Sequence, residues 1–349
     1  MSMPTPKERF QAVVENRPVD YPPVICPGGM MSATVIDVMN ETGITLPAAH
    51  HDGELMARLA EAVQQRTGFD NFGIPFCMTV EAEAAGSEVD FGTLECEPKI
   101  VKERFPDNQS VIYEDINLLL TRGRVPAVIE AARKLSQWHP DIPVSLTLTG
   151  PISFAASLVD PLVFLKDLKK NPAASHKVVA YVNDFLIAFA KLAIGNGVDI
   201  VTFADPTATG EILGPKTFDE YVVRYLGEAV TAIHEAGAPT IVHICGDIKP
   251  VKHLLPKIGA DVISTDAMLS LAELKKELPG IKTMGNLSTY LLDQEGAIDR
   301  ITARTRTLVH QGINVIAPAC GLSTTSPIEN IKAFTDAVHQ SVAETESIG

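Results

Sequence analysis

From Arg124 onward the chain alternates two hydrophobic patterns. Short apolar runs occupy residues 144–149, 199–204, 240–245, 261–265, 282–285 and 314–319. Between them lie longer stretches with apolar residues at three- and four-residue spacing: 124–138, 161–169, 173–195, 218–236, 251–258, 271–278, 296–311 and 327–342. Continuous apolar runs fit strands buried on both faces, and the intervening periodic stretches fit crossover helices. Such a rhythm predicts a parallel sheet with helices outside it.

The first third of the chain is less regular. Thr5-Pro6-Lys7-Glu8 reads as a capping box with proline at the first helical position. An apolar strand over Tyr21–Cys26 is cut by Pro27-Gly28-Gly29, and helices follow over 34–42 and 53–67, the second with Leu55, Leu59, Ala62 and Val63 as its stripe. A further strand is expected within 70–74. Residues 24–26 and 71–74, taken with the six later runs, supply the eight strands that close a (β/α)8 barrel. An open doubly wound sheet uses the same pattern and is the alternative. The expectation is one (β/α)8 TIM barrel domain over residues 1–349. Residues 76–123, with candidate strands around Ile100-Val101 and Val111-Ile112, read as an inserted lobe after the second strand.

In such barrels chemistry collects where strands end. Those positions here are Asp205, His243 with Cys245, Asp266, Asn286 and Cys320, against strand interiors of Val, Ile and Phe. On a strand, residues two apart share a face, so His243 and Cys245 project together. An imidazole and two thiolates suit zinc. Taken singly, His243 reads as a hydrogen-bonded core histidine, and each cysteine as a small buried thiol. Asp205 is the turn residue of Asp205-Pro206-Thr207 or a substrate contact; Asp266 is a cap or a fourth, oxygen ligand; Asn286 is a polar wall of the cavity. Ser323 lies in Gly321–Thr325, flexible backbone ahead of a helix start where an anion can be held, and is a further candidate substrate contact. Ser326-Pro327-Ile328-Glu329 reads as a capping box. Trp138 is expected to pack, and Cys77 and Cys96 to be structural; Cys26 is a weaker candidate for the same cavity as Cys245 and Cys320.

Composition narrows the partners. A formal net charge of −14 argues against nucleic acid and anionic membranes. Five scattered cysteines fit a reducing compartment rather than a disulfide framework. The start, Met1 to Pro6, lacks the pattern of a signal peptide, and the most apolar helical stretch is broken by Lys191. A cytoplasmic protein is expected.

The pair His243-x-Cys245 with distant Cys320 resembles the zinc signature of corrinoid:thiol methyltransferases in the uroporphyrinogen decarboxylase superfamily. The stretch Gly73-Ile74-Pro75-Phe76-Cys77-Met78-Thr79-Val80-Glu81-Ala82-Glu83-Ala84, the opening Pro6-Lys7-Glu8-Arg9-Phe10 and Thr147-Leu148-Thr149-Gly150-Pro151 are similar to that branch too. The resemblance implies a (β/α)8 barrel and a zinc site of His243, Cys245 and Cys320, with Asp266 in the fourth position at rest. It implies methyl transfer from a methylated corrinoid protein, carrying methylcobalamin, to a small thiol, coenzyme M first among them, as in the one-carbon metabolism of methanogenesis. Decarboxylases of the superfamily carry an arginine-rich segment after the first strand; here that place reads Cys26-Pro27-Gly28-Gly29-Met30-Met31. The alternatives are homocysteine or a pterin as acceptor, a uroporphyrinogen decarboxylase-like enzyme, or a non-enzymatic corrinoid-binding protein with structural zinc.

Overall fold

The computed structural model describes residues 3–341; residues 1–2 and 342–349 lie outside it, and with them the last residue of the helix expected over 327–342. In chain order the strands are β1 (Phe72–Ile74), β2 (Glu88–Asp90), β3 (Lys99–Lys102), β4 (Val144–Thr149), β5 (Ile200–Ala204), β6 (Thr240–Ile244), β7 (Val262–Thr265) and β8 (Lys282–Met284). Six of them form one parallel sheet in the order β1-β4-β5-β6-β7-β8. Two extended segments complete the ring. Val315 bridges Met284 of β8, and Ile316 bridges Val24, both in parallel. On the other side the Asn71 amide clamps Cys26, accepting from its N–H at 2.9 Å and donating to its carbonyl at 2.9 Å. The eight-stave barrel is therefore closed.

The expected strand over Tyr21–Cys26 narrows to a single bridge at Val24. Pro22, Pro23 and Pro27 surround that segment, and proline has no N–H to give a ladder. Side chains of Asp70 and Asn71 supply partners in its place; the Asp70 carboxylate accepts from the Val24 N–H at 2.9 Å.

Strand alternation divides the core in two. Ile25, Ile200, Ile241, Val262, Met284 and Val315 form an interior cluster. Their neighbours Val24, Val201, Val242, Ile263 and Ile316 face the helices instead. Phe10 and Val13 of the helix Pro6–Val14 join the interior cluster and plug the barrel floor. The Thr5–Glu8 capping box starts that helix as expected. The helix Pro172–Ile194 buries Val178, Val182, Phe185, Leu186 and Phe189 among others, each such side chain contributing about 1.5–3 kcal/mol.

Between β1 and β4 run a helix at Val80–Ala84, the antiparallel pair β2–β3, and helices Ile116–Leu119 and Val125–Trp138. The strand expected around Val111-Ile112 is absent, and Ile112 is exposed. The helix expected over 218–236 instead has a π-helical turn at Phe218–Val223 before Arg224–Glu235. Residues 252–258 are 3-10 rather than α-helical, with Pro256 inside them lacking the amide hydrogen an α-helix would use. Trp138, expected to pack, ends its helix 37% exposed with the Arg58 guanidinium over its ring. Among the described residues no helix is long and apolar enough to cross a membrane.

Candidate metal centre

β6 delivers its histidine by alternation. Ile241 packs inward, so His243 also points into the barrel, where it is fully buried. A buried imidazole needs a partner for each nitrogen it turns from water. Its Nδ1 lies 2.9 Å from the Ser264 hydroxyl, and the β6–β7 register sets Ser264 directly beside His243. That bond turns Nε2 toward Cys245, whose Sγ is 2.9 Å away. The Cys245 and Cys320 sulfurs are 3.0 Å apart. All three donor atoms lie within 4.8 Å of one another, and among the described residues no fourth His, Cys, Asp or Glu joins them.

Two soft thiols and an imidazole so close together leave the sulfurs competing for protons. The hydrogen bond between them holds the Cys320 thiol well below its ordinary value and pushes the Cys245 thiol above. His243 adds to the depression of Cys320. Close approach of the backbone also shapes the site: a side chain at Gly321 would meet the Met30 carbonyl at 2.9 Å, and the Met30 Sδ is 4.0 Å from the Cys320 Sγ.

The other expected site residues fall around this trio in different ways. Asp266 follows β7, but both its carboxylate oxygens are engaged: one accepts from the Gly246 N–H at 2.9 Å, the other from the Met268 N–H at 2.7 Å. It fixes the turn that begins at Cys245. Asn286 donates to the carbonyls of Asp266 and Leu269 at 2.7 and 2.8 Å, holding the same loop. Asp205 is completely buried and accepts from Ile152 N–H, Ser153 N–H and the Ser153 hydroxyl at 3.1, 2.8 and 2.6 Å. It thereby caps the start of the helix Pro151–Leu158 from outside, and burial pushes its carboxyl up to about 6. Ser323 is exposed and bonds Thr325. The capping box expected at Ser326 does not form: Ser326 donates to Asp293 at 3.2 Å, and the Ile328 N–H at that helix start is met by Asp37 at 3.1 Å. Cys26 is buried and donates to the Met31 carbonyl, away from the trio.

A cleft of about 710 Å³ opens beside Cys320, walled by Met30, Glu95, Glu97, Asp266, Met268 and Tyr290, with Ser323 at its edge. Glu97 is an exposed residue, but desolvation of its carboxyl against the cleft, and then the charge of Cys320, pushes that group up to about 7. Ser264 and Glu97 escaped the sequence reading. Ser264 had a signal, a polar break in the apolar run Val262-Ile263-Ser264; Glu97 had none, since it arrives on the β2–β3 segment.

A family model for uroporphyrinogen decarboxylase (URO-D) matches residues 5–341. The methylcobamide:CoM methyltransferase MtaA of Methanosarcina barkeri (strain Fusaro / DSM 804) is 30% identical over 97% of this chain and 98% of its own length. The methylcobamide:CoM methyltransferase MtbA of Methanosarcina acetivorans is 28% identical over 95% of this chain and 97% of its own. A solved methyltransferase from Methanosarcina mazei superposes with a TM-score of 0.90 at 28% identity, covering 97% of this chain and 99% of that one.

Proposed function

The chain belongs to the uroporphyrinogen decarboxylase family, and from that premise we propose that it is a methyltransferase that moves a methyl group from a methylated corrinoid protein to a small thiol at the His243–Cys245–Cys320 centre. The convergence of those three donors at the barrel mouth carries the proposal. A nitrogen and two sulfurs are a zinc donor set, and a catalytic zinc keeps three protein ligands and one open position, whereas a structural zinc takes four. When bound there, zinc supplies the Lewis acidity that keeps an arriving sulfur deprotonated near neutral pH.

The chain's own residues do the remainder. Ser264 fixes the imidazole so that Nε2 faces the two sulfurs, as partners of metal-bound histidines do. Asp266, on the Gly246 N–H, and Asn286, on the Asp266 carbonyl, hold the loops that carry Cys245 and flank the cleft. Asp205 anchors the helix Pro151–Leu158 and acts through position rather than by touching substrate. The segment Cys26–Met31, where the resemblance puts the arginines of a decarboxylase, has no arginine to hold the carboxylates of a porphyrinogen.

The reaction balances without a further reagent. The acceptor sulfur forms a bond to the methyl carbon as the cobalt–carbon bond breaks. That electron pair stays on cobalt, which passes from Co(III) to Co(I), and the thiol proton is released to solvent.

The test is thiol-dependent demethylation of methylcobalamin, followed by the corrinoid absorbance, with metal content measured on the same protein. Loss of the methyl group only when a thiol and zinc are both present supports the reading. Full activity in Cys320→Ala would sink it.

A further inference from the structure

Of the five cysteines in the chain, the barrel brings Cys245 and Cys320 into contact, with their sulfurs 3.0 Å apart. Cys26 and Cys77 are buried on other partners, the Met31 carbonyl and the Arg124 guanidinium, and Cys96 is exposed. A disulfide needs sulfurs about 2.05 Å apart, so the contacting pair closes with a shift of about 1 Å. Cys245 follows the end of β6, Cys320 lies in a bend after the segment that closes the ring, and each is followed by glycine. A shift of that size is therefore taken up outside the paired registers. The two sulfurs are not equivalent. Cys320 walls the cleft and Cys245 does not; the Cys245 sulfur is turned instead to the His243 Nε2, 2.9 Å away. A reagent entering the cleft meets Cys320 first.

Resting on the reading above, we propose that Cys320 and Cys245 are also a thiol–disulfide exchange pair, through which the disulfide of the acceptor thiol shuts the site down. The cleft of about 710 Å³ has room for a small symmetrical disulfide as well as for its thiol. A cysteine sulfur that binds metal is deprotonated, and a thiolate attacks a disulfide sulfur. In the first step the Cys320 sulfur bonds to one sulfur of the reagent, the reagent's own S–S bond breaks, and one acceptor thiolate leaves. In the second the Cys245 sulfur bonds to the Cys320 sulfur, the mixed disulfide breaks, and the second thiolate leaves. The two cysteines together lose two electrons; the reagent gains them and becomes two thiolates, which take protons from solvent. Of the three donors only His243 is then left, too few to retain a metal ion. In its reduced form the acceptor is a substrate; in its oxidised form it empties the centre.

The experiment treats the reduced, zinc-loaded full chain anaerobically with bis(2-hydroxyethyl) disulfide, the oxidised form of 2-mercaptoethanol. Zinc release is followed with a chromogenic chelator, and the state of each cysteine by peptide mass mapping. The parent should form a Cys245–Cys320 link and release zinc in equal amount. Cys245→Ser should stop at a mixed disulfide on Cys320, whereas Cys320→Ser should modify Cys245 about tenfold more slowly than the parent forms its link. Exposed Cys96 should stop at a mixed disulfide in every sample and so report access of the reagent, while Cys26 and Cys77 stay free. Dithiothreitol with added zinc should restore the metal content of the parent, which shows that the fold survived. Absence of the link while Cys96 is modified overturns the proposal, whether or not zinc leaves; so does undiminished modification of Cys245 in Cys320→Ser. Demethylation of methylcobalamin by the reduced protein with 2-mercaptoethanol keeps the two readings apart. An inactive protein that still forms the link and loses zinc refutes the proposed function and supports the exchange pair; an active protein that forms no link does the reverse.

Discussion

Two sulfur-bearing clusters sit beyond strand ends of this barrel, and they show opposite chemistry. Beyond β1, Cys77 is buried beside the Arg124 guanidinium, which donates to its sulfur at 3.1 Å, to the Glu83 carboxylate at 2.6 Å and to the Thr79 hydroxyl at 2.7 Å. The Arg124 guanidinium bonds each of these groups, so a fixed cation already holds the place a metal would take. Beyond β6, three soft donors face one another with Ser264 behind them and a cleft in front. A cysteine at a strand end is therefore uninformative until its neighbours are known. A guanidinium closes the site; an imidazole and a second thiol open it.

Substitutions should separate the two clusters. The largest effect is expected from Cys320→Ala or Cys245→Ala, each removing a proposed metal ligand: thiol-dependent demethylation should fall by about a thousandfold, roughly 4 kcal/mol, with zinc lost in metal analysis. Cys77→Ala should keep its zinc, and loss of metal from that variant would collapse the distinction. Next is Arg124→Met, which leaves Glu83 without its buried partner. It should destabilise the fold by about 3–5 kcal/mol in denaturant titrations, while the protein that remains folded keeps its metal.

Ser264→Ala comes third. Without the hydroxyl on Nδ1 the imidazole is less well oriented, and zinc affinity should drop about 10–100-fold in chelator competition, with little change in melting temperature. The smallest effect concerns acid. Glu114 accepts from Arg104 and Arg122, and these hydrogen bonds hold its carboxyl at about 2. A folded value below the unfolded one contributes stability that is present above about pH 4.5 and is lost as pH falls toward 2. Glu114→Gln should therefore flatten the stability profile across that window and leave it unchanged in shape above it.

The barrel itself was legible because its strands are continuous apolar runs, and the periodic stretches between them have helical spacing. The positions of His243 and Cys245 followed from two-residue alternation, and that of Cys320 from the last apolar run. What the pattern hid is instructive. The segment at Tyr21–Cys26 has strand-like side chains, but its prolines withhold the amides a ladder needs, so Asp70 and Asn71 substitute for a neighbour's backbone. Asp266, expected as a cap or as an oxygen ligand by its place at a strand end, accepts from two nearby N–H groups. Local hydrogen bonds of that kind leave no periodic trace. Nor does Glu97, since a residue brought over the mouth by an antiparallel pair carries no signature of its destination.

The closure of the ring has a mechanical consequence. The barrel is a hoop whose last stave, around Val315–Pro318, and first stave, around Val24, meet at the single isolated bridge Val24–Ile316, whereas every joint among β1 and β4–β8 is a ladder. Cys320 follows the last stave and Cys245 follows β6, so an ion gripping both would act as a clasp across the two staves between them. Loading the centre should then slow amide exchange at Ile25 and Ile316, whose N–H groups stitch the seam, on the far side of the hoop from His243. The same clasp gives a measure of occupancy that needs no substrate at all.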